Sequence, residues 1–276
     1  MTSTFSSEPN EDIKIHIKQK TKMDKPMDED YLVKRNNKVI KVKQTKLPQC
    51  LSNKSFLWLL LGPPRSGKST YIESLLTAEM DKRKKRQSYE GLFEDIIFFT
   101  PQIKDFENIE LESLPNVFDT LSIANLTKAI EIATKIYNSG GQTCIVFDDM
   151  GSTFRSGKNL QTLLEDTCFN HRHMGLSIFF SAQTFKSLSP GMRKSARLIT
   201  TFAIDSMEER EIIFKDLPIK KHDQDALYEY VFDNPEDEGK VDSMGRPAKF
   251  NLYIDKSKTR NSKIVFYKNF DLIKIT

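Results

Sequence analysis

One stretch, residues 56–76, constrains the fold more than any other part of the sequence. It reads FLWLLLGPPRSGKSTYIESLL, an apolar run followed by a glycine turn and then by apolar residues at helical spacing. The apolar run predicts a strand that is buried on both faces. Ile72, Leu75 and Leu76 predict the inner face of a helix that starts directly after the turn.

The turn between this strand and this helix matches the phosphate-binding P-loop pattern GxxxxGK[ST] at every position. Backbone N–H groups of such a loop converge on one concavity, and the following helix adds the positive end of its dipole. Lys68 is expected to reach the β- and γ-phosphates, and the Ser69 hydroxyl to complete a Mg²⁺ shell. The residues predicted to bind nucleotide are Gly62, Pro63, Pro64, Arg65, Ser66, Gly67, Lys68, Ser69 and Thr70. We therefore expect the chain to bind ATP and Mg²⁺.

Composition sets the size and the compartment of the protein more than its chemistry. The 276 residues allow one or two domains, and 42 basic against 38 acidic residues permit a nucleic-acid partner without requiring one. Cys50, Cys144 and Cys168 are widely spaced and suit neither a disulfide framework nor a metal knuckle, which favours a reducing compartment. The polar, acidic start is not typical of a signal peptide, and no apolar run approaches the roughly 18 residues of a membrane span. These features predict a soluble intracellular protein.

Strand-like apolar runs alternate with amphipathic segments along the rest of the chain. The predicted strands lie at 95–100, 116–118, 143–147, 176–180 and 198–204, and the predicted helices at 122–137, around 160–168 and, after a capping box at Ser206, up to 214. Beyond an acidic loop at 233–247, residues 250–254 and 264–267 alternate and predict a C-terminal β-hairpin. This order predicts an α/β P-loop NTPase, with a mostly parallel sheet flanked by helices.

The chain is expected to divide into an arm and a domain. Residues 1–50 are predicted to form a basic, partly flexible N-terminal arm, in which 13–17 and 39–42 alternate like edge strands. Residues 51–276 form the ATPase domain, with a core at 55–205 and a C-terminal extension at 206–276. The basic excess of the arm fits either a solvated tail or a polyphosphate contact. The run DKRKKR at 81–86 fits either a helix end that complements its dipole or a patch for a phosphate backbone.

Two carboxylates at the end of the predicted strand 143–147 supply the second half of a hydrolytic site. Asp148 lies at the carboxyl end of a buried strand, where open α/β sheets bind ligands, and is expected to hold Mg²⁺ through water. Asp149 is expected to accept a proton from the water that attacks the γ-phosphate. Gln183 follows the next strand, so its amide is expected near the γ-phosphate; an ordinary polar residue at a strand end is the alternative.

Three arginines are candidates for contact with phosphate. Arg172 lies between His171 and His173, and Arg193 and Arg197 lie in PGMRKSAR. An arginine that stabilises the transition state can come from a neighbouring subunit, so the sequence does not assign the role. We name Arg172 and Arg193 as catalytic candidates beside Lys68, Asp149 and Gln183. The two histidines adjoin no cysteine or carboxylate cluster and are interpreted as loop residues, not metal ligands.

Four segments together resemble a known family. GPPRSGKST, IVFDDM, NHRHMGLSIFFSAQ and LSPGMRKSAR, within residues 55–205, are similar to segments of the poxvirus-type genome-packaging ATPases of large double-stranded DNA viruses, in the FtsK–HerA superfamily. The resemblance implies an ASCE, RecA-like sheet, in which one strand separates the P-loop strand from the Walker-B strand. It assigns Lys68 and Ser69 to nucleotide and Mg²⁺, Asp148 and Asp149 to the Walker-B pair, and Gln183 to the sensor position. Asp149 departs from the superfamily, which often has the longer Glu there.

The resemblance also implies a function and partners. The expected activity is ATP hydrolysis by a homo-oligomeric ring around double-stranded DNA, which packages a viral genome. Capsid or portal-site proteins are the expected further partners, and no membrane span is expected. The expected location is the viral assembly site in the host-cell cytoplasm or the virion. A small-molecule or nucleotide kinase and a nucleotide-dependent assembly scaffold are the alternatives. The paired aspartates followed by a Gln strand favour hydrolysis over phosphoryl transfer. The intact Lys68, Ser69, Asp148 and Asp149 argue against a scaffold without turnover.

Overall fold

The computed structural model describes residues 16–17, 29–35, 38–44, 51–52, 55–77, 88–102, 106, 109, 114–151, 153–155, 157–215, 217, 219–234, 237–240, 249–256 and 264–274. The strands in this part of the chain are β1 (His16–Ile17), β2 (Glu29–Arg35), β3 (Lys38–Gln44), β4 (Leu57–Leu61), β5 (Asp95–Phe99), β6 (Val117–Phe118), β7 (Thr143–Phe147), β8 (Leu176–Ala182), β9 (Leu198–Phe202), β10 (Asn251–Asp255), β11 (Val265–Lys268) and β12 (Asp271–Lys274). The helices are α1 (Lys68–Thr77), α2 (Ile123–Ser139), α3 (Lys158–Asn170), α4 (Pro190–Ser195), α5 (Met207–Phe214) and α6 (Lys221–Phe232).

A parallel sheet of six strands, in the order β9-β4-β8-β7-β5-β6, carries the predicted P-loop strand near its middle. Strand β8 lies between β4 and β7, which is the ASCE arrangement that the resemblance implies. Every residue of β4, β7, β8 and β9 is buried, because helices cover both faces of the sheet. The predicted α/β fold with a mostly parallel sheet is therefore confirmed.

Antiparallel strands extend this sheet at the β9 edge. Strand β10 pairs with β9, and β11 pairs with β10 in the C-terminal hairpin that the alternating residues predicted. Strands β12 and β1 continue the sheet outward, whereas β2 and β3 form a two-stranded sheet. The predicted edge-strand residues 39–42 lie in β3, and the basic run 81–86 lies outside the described residues. The division into an arm and a domain stays a prediction.

The two faces of the sheet are covered by different helices. On β4, Leu57, Leu59 and Leu61 belong to one apolar cluster and Trp58 and Leu60 to the other, because successive side chains of a strand point to opposite faces. Helix α1 packs on the Trp58 side, and α2 and α3 pack on the opposite side. None of the helices in the described part of the chain is long and apolar enough to cross a bilayer.

The end signals of α2 are confirmed, and those of α5 are confirmed in part. The Ser122 hydroxyl accepts a hydrogen bond from the Asn125 N–H at the start of α2, and Gly140, at φ 104°, ends it. Helix α5 begins with a similar cap on Ser206, but the Glu209 carboxylate accepts a bond from the Phe185 N–H instead of completing the predicted capping box. Helices α4 and α6 were not predicted, although α6 buries residues at helical spacing, Leu227, Tyr228 and Val231.

Phe147→Ala is expected to lower the free energy of unfolding by about 3–5 kcal/mol, because it opens a cavity in the core. Phe147 is completely buried and stacks on Phe99 and Phe180 at centroid distances of 4.9 and 4.7 Å. Urea unfolding followed by circular dichroism measures the loss. The matched control is Phe169→Ala on α3, where the side chain is 58% exposed and the expected change is within about 0.5 kcal/mol. Equal losses in the two variants would contradict this description of the core.

Candidate active site

The P-loop connects the end of β4 to the start of α1 through backbone that ordinary residues rarely adopt. Arg65 has φ 61° and Gly67 has φ 102°, both in the left-handed region. At Gly67 a side chain would also be crowded, since an added Cβ would lie 3.3 Å from Cδ of Lys249. The Gly67 carbonyl then accepts the Tyr71 N–H at 2.9 Å and starts the helix. The loop therefore presents a helix N-terminus to the carboxyl edge of the sheet, as the sequence predicts.

Lys68 lies folded back over this loop. Its Nζ donates hydrogen bonds to the carbonyl oxygens of Gly62 and Pro63, both at 2.8 Å. Burial lowers the pKa of Lys68, and the carboxylates of Asp148 and Asp149 act in the opposite direction. An anion bound at the loop would favour the charged form of Lys68, as the two carboxylates do. The ammonium group is therefore placed for a phosphate.

Ser69 and Asp148 join the P-loop to the end of β7. The Ser69 hydroxyl donates to Oδ2 of Asp148 at 2.9 Å, and Asp148 is only 2% exposed. Burial raises the pKa of Asp148, while the Ser181 and Ser69 hydroxyls and the Lys68 charge oppose that rise. A hydroxyl and one carboxylate are oxygen donors that suit Mg²⁺, which binds at phosphate sites through few protein ligands and the substrate itself. The two side chains predicted to hold the metal therefore lie together and fit it.

Asp149 and Gln183 form a second polar pair beside this one. Asp149 adopts φ 50°, and its Oδ1 accepts a hydrogen bond from Nε2 of Gln183 at 3.0 Å. The pair forms because β7 and β8 are neighbours and both run toward the same edge of the sheet. A left-handed residue at such a strand end is a strained conformation that often marks a functional position. Gln183 is exposed and Asp149 is half-buried, so a water molecule can reach both side chains.

Two of the candidate arginines, Arg172 and Arg197, lie where the parallel strands begin, at the end of the sheet opposite the P-loop. Arg172 is in a short 3₁₀ turn, His171–Met174, that precedes β8, whereas Gln183 follows β8. The seven residues of β8 separate the two positions by roughly 20 Å. Arg197 lies at the same edge, where its N–H donates to the Leu57 carbonyl at the start of β4. Partial burial, and then the charge of Arg197, lowers the pKa of Arg172. Neither arginine is placed to contact a phosphate at the P-loop of its own chain.

Arg193 supports the segment that follows Gln183. Its guanidinium lies 5.2 Å from the ring centroid of Phe185, and the Glu209 carboxylate accepts the Phe185 N–H at 2.9 Å. Arg193 and Glu209 thus fix the chain two residues beyond Gln183 from two different helices. From the sequence, Arg193 was predicted only to contact phosphate. No local signal beyond the helix cap indicated that Glu209 would bond the backbone near Gln183.

His171 and His173, which were interpreted as loop residues, lie in the short 3₁₀ turn that connects α3 to β8. His171 is buried in the 3₁₀ turn, and its Nδ1 donates to the Cys168 carbonyl at 2.7 Å. Burial lowers the pKa of its ring. His173 lies in the same turn and is exposed. Among the described residues there is no cluster of three or more His, Cys, Asp or Glu side chains that would hold a metal ion.

Lys249 lies at the P-loop and was not predicted from the sequence. Its Nζ donates to the Arg65 carbonyl at 2.5 Å, although the two residues are 184 positions apart. No motif surrounds Lys249, and its position beside the loop follows from the pairing of β10 with β9.

Asp148→Asn is expected to raise the free energy of unfolding at neutral pH. Because burial raises the pKa of Asp148 in the folded chain, the native state binds an extra proton, and ionisation costs stability as pH rises above about 4. The amide keeps an oxygen for Ser69 without that cost. Urea unfolding without Mg²⁺ should show a gain that shrinks as pH falls toward about 4. Asp166→Asn, at an exposed position on α3, is the control. A gain that does not change with pH would argue against a buried charge.

Solved structures with a similar fold include viral packaging enzymes. The genome packaging NTPase B204 from Sulfolobus turreted icosahedral virus 2, in complex with sulfate, aligns with a TM-score of 0.52 and 17% identity over 78% of this chain and 97% of that chain. The same NTPase in complex with ATP-gammaS aligns with a TM-score of 0.50 and 17% identity, over 78% of this chain and 98% of that chain. B204, the DNA-packaging ATPase from Sulfolobus turreted icosahedral virus, aligns with a TM-score of 0.50 and 18% identity, over 78% of this chain and 98% of that chain. No protein-family model and no curated protein matches the sequence. By its strand order and these similarities, the chain has the fold of an ASCE-type P-loop NTPase.

Proposed function

We propose that the chain is an ATP-hydrolysing motor that translocates double-stranded DNA and packages a viral genome into a capsid. The observation that supports hydrolysis most is the 2.9 Å hydrogen bond from Ser69 to Asp148, which joins the P-loop to the Walker-B strand end. The similar structures carry the names of a genome packaging NTPase and a DNA-packaging ATPase. Those names, together with the four sequence segments, support DNA as the partner of this chain.

The P-loop side of the site binds and orients ATP. Loop N–H groups and the start of α1 receive the phosphates, and Lys68 exchanges the carbonyls of Gly62 and Pro63 for β- and γ-phosphate oxygens. Ser69 and Asp148 would hold Mg²⁺, which would supply positive charge to the phosphate oxygens. In this exchange Lys68 replaces two neutral carbonyl partners with negatively charged phosphate oxygens. Its ammonium group is therefore stabilised when nucleotide binds.

The Asp149–Gln183 pair acts on the water. Asp149 has one carboxylate oxygen bound by Gln183, and its second oxygen accepts the proton of the attacking water. The Gln183 carbonyl oxygen is free to orient the same water, because the hydrogen bond to Asp149 uses the amide nitrogen. The water oxygen then bonds to the γ-phosphorus, and ADP leaves with the electron pair of the broken P–O bond. Arg193 and Glu209 act as positioning residues for Gln183 through Phe185.

The arginines at the far edge of the sheet support an oligomer. Arg172 is exposed and roughly 20 Å from the strand ends that carry the nucleotide site. In a homo-oligomeric ring, the far edge of one subunit faces the P-loop of the next, and Arg172 stabilises the transition-state charge there. The basic run at 81–86 and the N-terminal arm are the proposed DNA contacts. Capsid or portal-site proteins and the viral assembly site in the host cytoplasm complete the proposal.

ATP hydrolysis is expected to be stimulated by double-stranded DNA and to fall by about 100-fold or more in Lys68→Ala and Asp148→Ala, since the first removes a cation from the reacting phosphates and the second removes a ligand of Mg²⁺. Phosphate release at low salt, with and without DNA, measures both effects. Lys215→Ala removes an exposed lysine after α5 and should leave the rate unchanged. Hydrolysis that does not respond to DNA at low salt would contradict a motor but not an ATPase.

Mixing Arg172→Ala protein with Lys68→Ala protein is expected to restore hydrolysis that each variant lacks alone. An Arg172→Ala subunit keeps its own P-loop, and a Lys68→Ala neighbour supplies the intact arginine across the interface. Phosphate release by the mixed assembly, after size-exclusion chromatography proves mixing, is the measurement. Lys68→Ala with Asp148→Ala is the control and should stay inactive, because both changes damage the site of their own chain. Without recovery in the first mixture, Arg172 does not act in trans.

A further inference from the structure

The C-terminal extension returns to the P-loop because of the direction of one strand. Strand β9 runs parallel to β4 and ends at the carboxyl edge of the sheet, where the P-loop begins. Strand β10 pairs with β9 in the antiparallel sense, with Asn251 opposite Phe202, so β10 begins at that same edge. Lys249, two residues before β10, therefore arrives beside the P-loop.

The side chain of Lys249 contacts the loop along its length. Its Cδ would lie 3.3 Å from a Cβ on Gly67, so the aliphatic stem passes over the glycine. Its Nζ donates to the Arg65 carbonyl at 2.5 Å. Gly67 thus leaves room for the stem of Lys249, which a side chain at this position would crowd.

Lys68 and Lys249 bring two ammonium groups to one short loop. Each donates to loop carbonyls, Lys68 to Gly62 and Pro63 and Lys249 to Arg65. The carbonyls that accept these bonds belong to residues within the four-residue stretch 62–65, so the two cations lie close together at one loop and repel each other. A polyanion between them would remove this repulsion, and the carbonyl oxygens that they now occupy are weaker partners than phosphate oxygens.

We propose that Lys249 is a second phosphate-binding lysine of the nucleotide site, supplied by the C-terminal extension of the same chain. The proposal rests on the proposed binding of ATP and adds a residue to it. When phosphates enter the loop, the flexible stem of Lys249 lets its ammonium group exchange the Arg65 carbonyl for a phosphate oxygen. The extension then contributes to affinity directly and is more than a cover for the edge of β9.

The test is nucleotide affinity, measured with fluorescent ADP and a fluorescent non-hydrolysable ATP analogue in EDTA. Lys249→Met keeps the stem and removes the charge, and is expected to weaken both affinities about 10-fold. Lys249→Arg keeps a cation and should lose about 3-fold or less. Lys256→Met is the matched control: it removes the same charge at the other end of β10, where the Lys256 N–H bonds the Arg197 carbonyl, and should bind as the unchanged protein does.

Thermal unfolding of each variant separates binding from folding. Weaker binding by Lys249→Met with an unchanged melting temperature, and recovery in Lys249→Arg, supports the proposal. Unchanged affinity overturns it, and so does a melting temperature that falls in both variants in step with affinity, because Lys249 then only supports the loop. Failure of the unchanged protein to bind either nucleotide would instead contradict the proposed function.

Discussion

The hydrogen bond from Ser69 to Asp148 is the contact on which the rest of the site depends. Strands β4 and β7 are not neighbours, since β8 lies between them, and two strand spacings separate them by about 10 Å. The Gly62 N–H, at the start of the P-loop, donates to the carbonyl of Ala182 at the end of β8. A hydroxyl from one segment and a carboxylate from the other then meet at 2.9 Å, where a metal ion and a phosphate would need both.

The same site holds charges in positions that favour their neutral forms. Lys68 and Asp148 are both buried, and burial lowers the pKa of the lysine and raises that of the aspartate. Asp149 adds a left-handed backbone beside them. Buried charge and backbone strain both cost stability, and ligands that bring opposite charges offset that cost. A site of this kind is less stable empty than filled, which couples nucleotide binding to the stability of the sheet edge.

The sheet gives the molecule two chemically different edges. Its carboxyl edge carries the P-loop, Asp148, Asp149 and Gln183, whereas Arg172 and Arg197 lie at the edge where the parallel strands begin. Contacts between unlike edges are heterologous, and heterologous contacts close into rings when the rotation between subunits allows it. In the proposed motor, one fold therefore supplies both halves of a shared site. The antiparallel extension adds Lys249 to the carboxyl edge because β10 runs opposite to β9.

The sequence by itself determined the parallel core and the central residues of the site. Continuous apolar runs predict strands buried on both faces, and the P-loop pattern and the paired aspartates are local signals at strand ends. Helix α6 carried a weaker signal that was missed, and the capping box at Ser206 is only half formed because Glu209 bonds Phe185. Only the tertiary structure decided that Arg172 faces away from the P-loop of its own chain and that Lys249 lies on it. Those placements follow from the order and direction of strands far apart in the chain, and no local periodicity encodes such pairings.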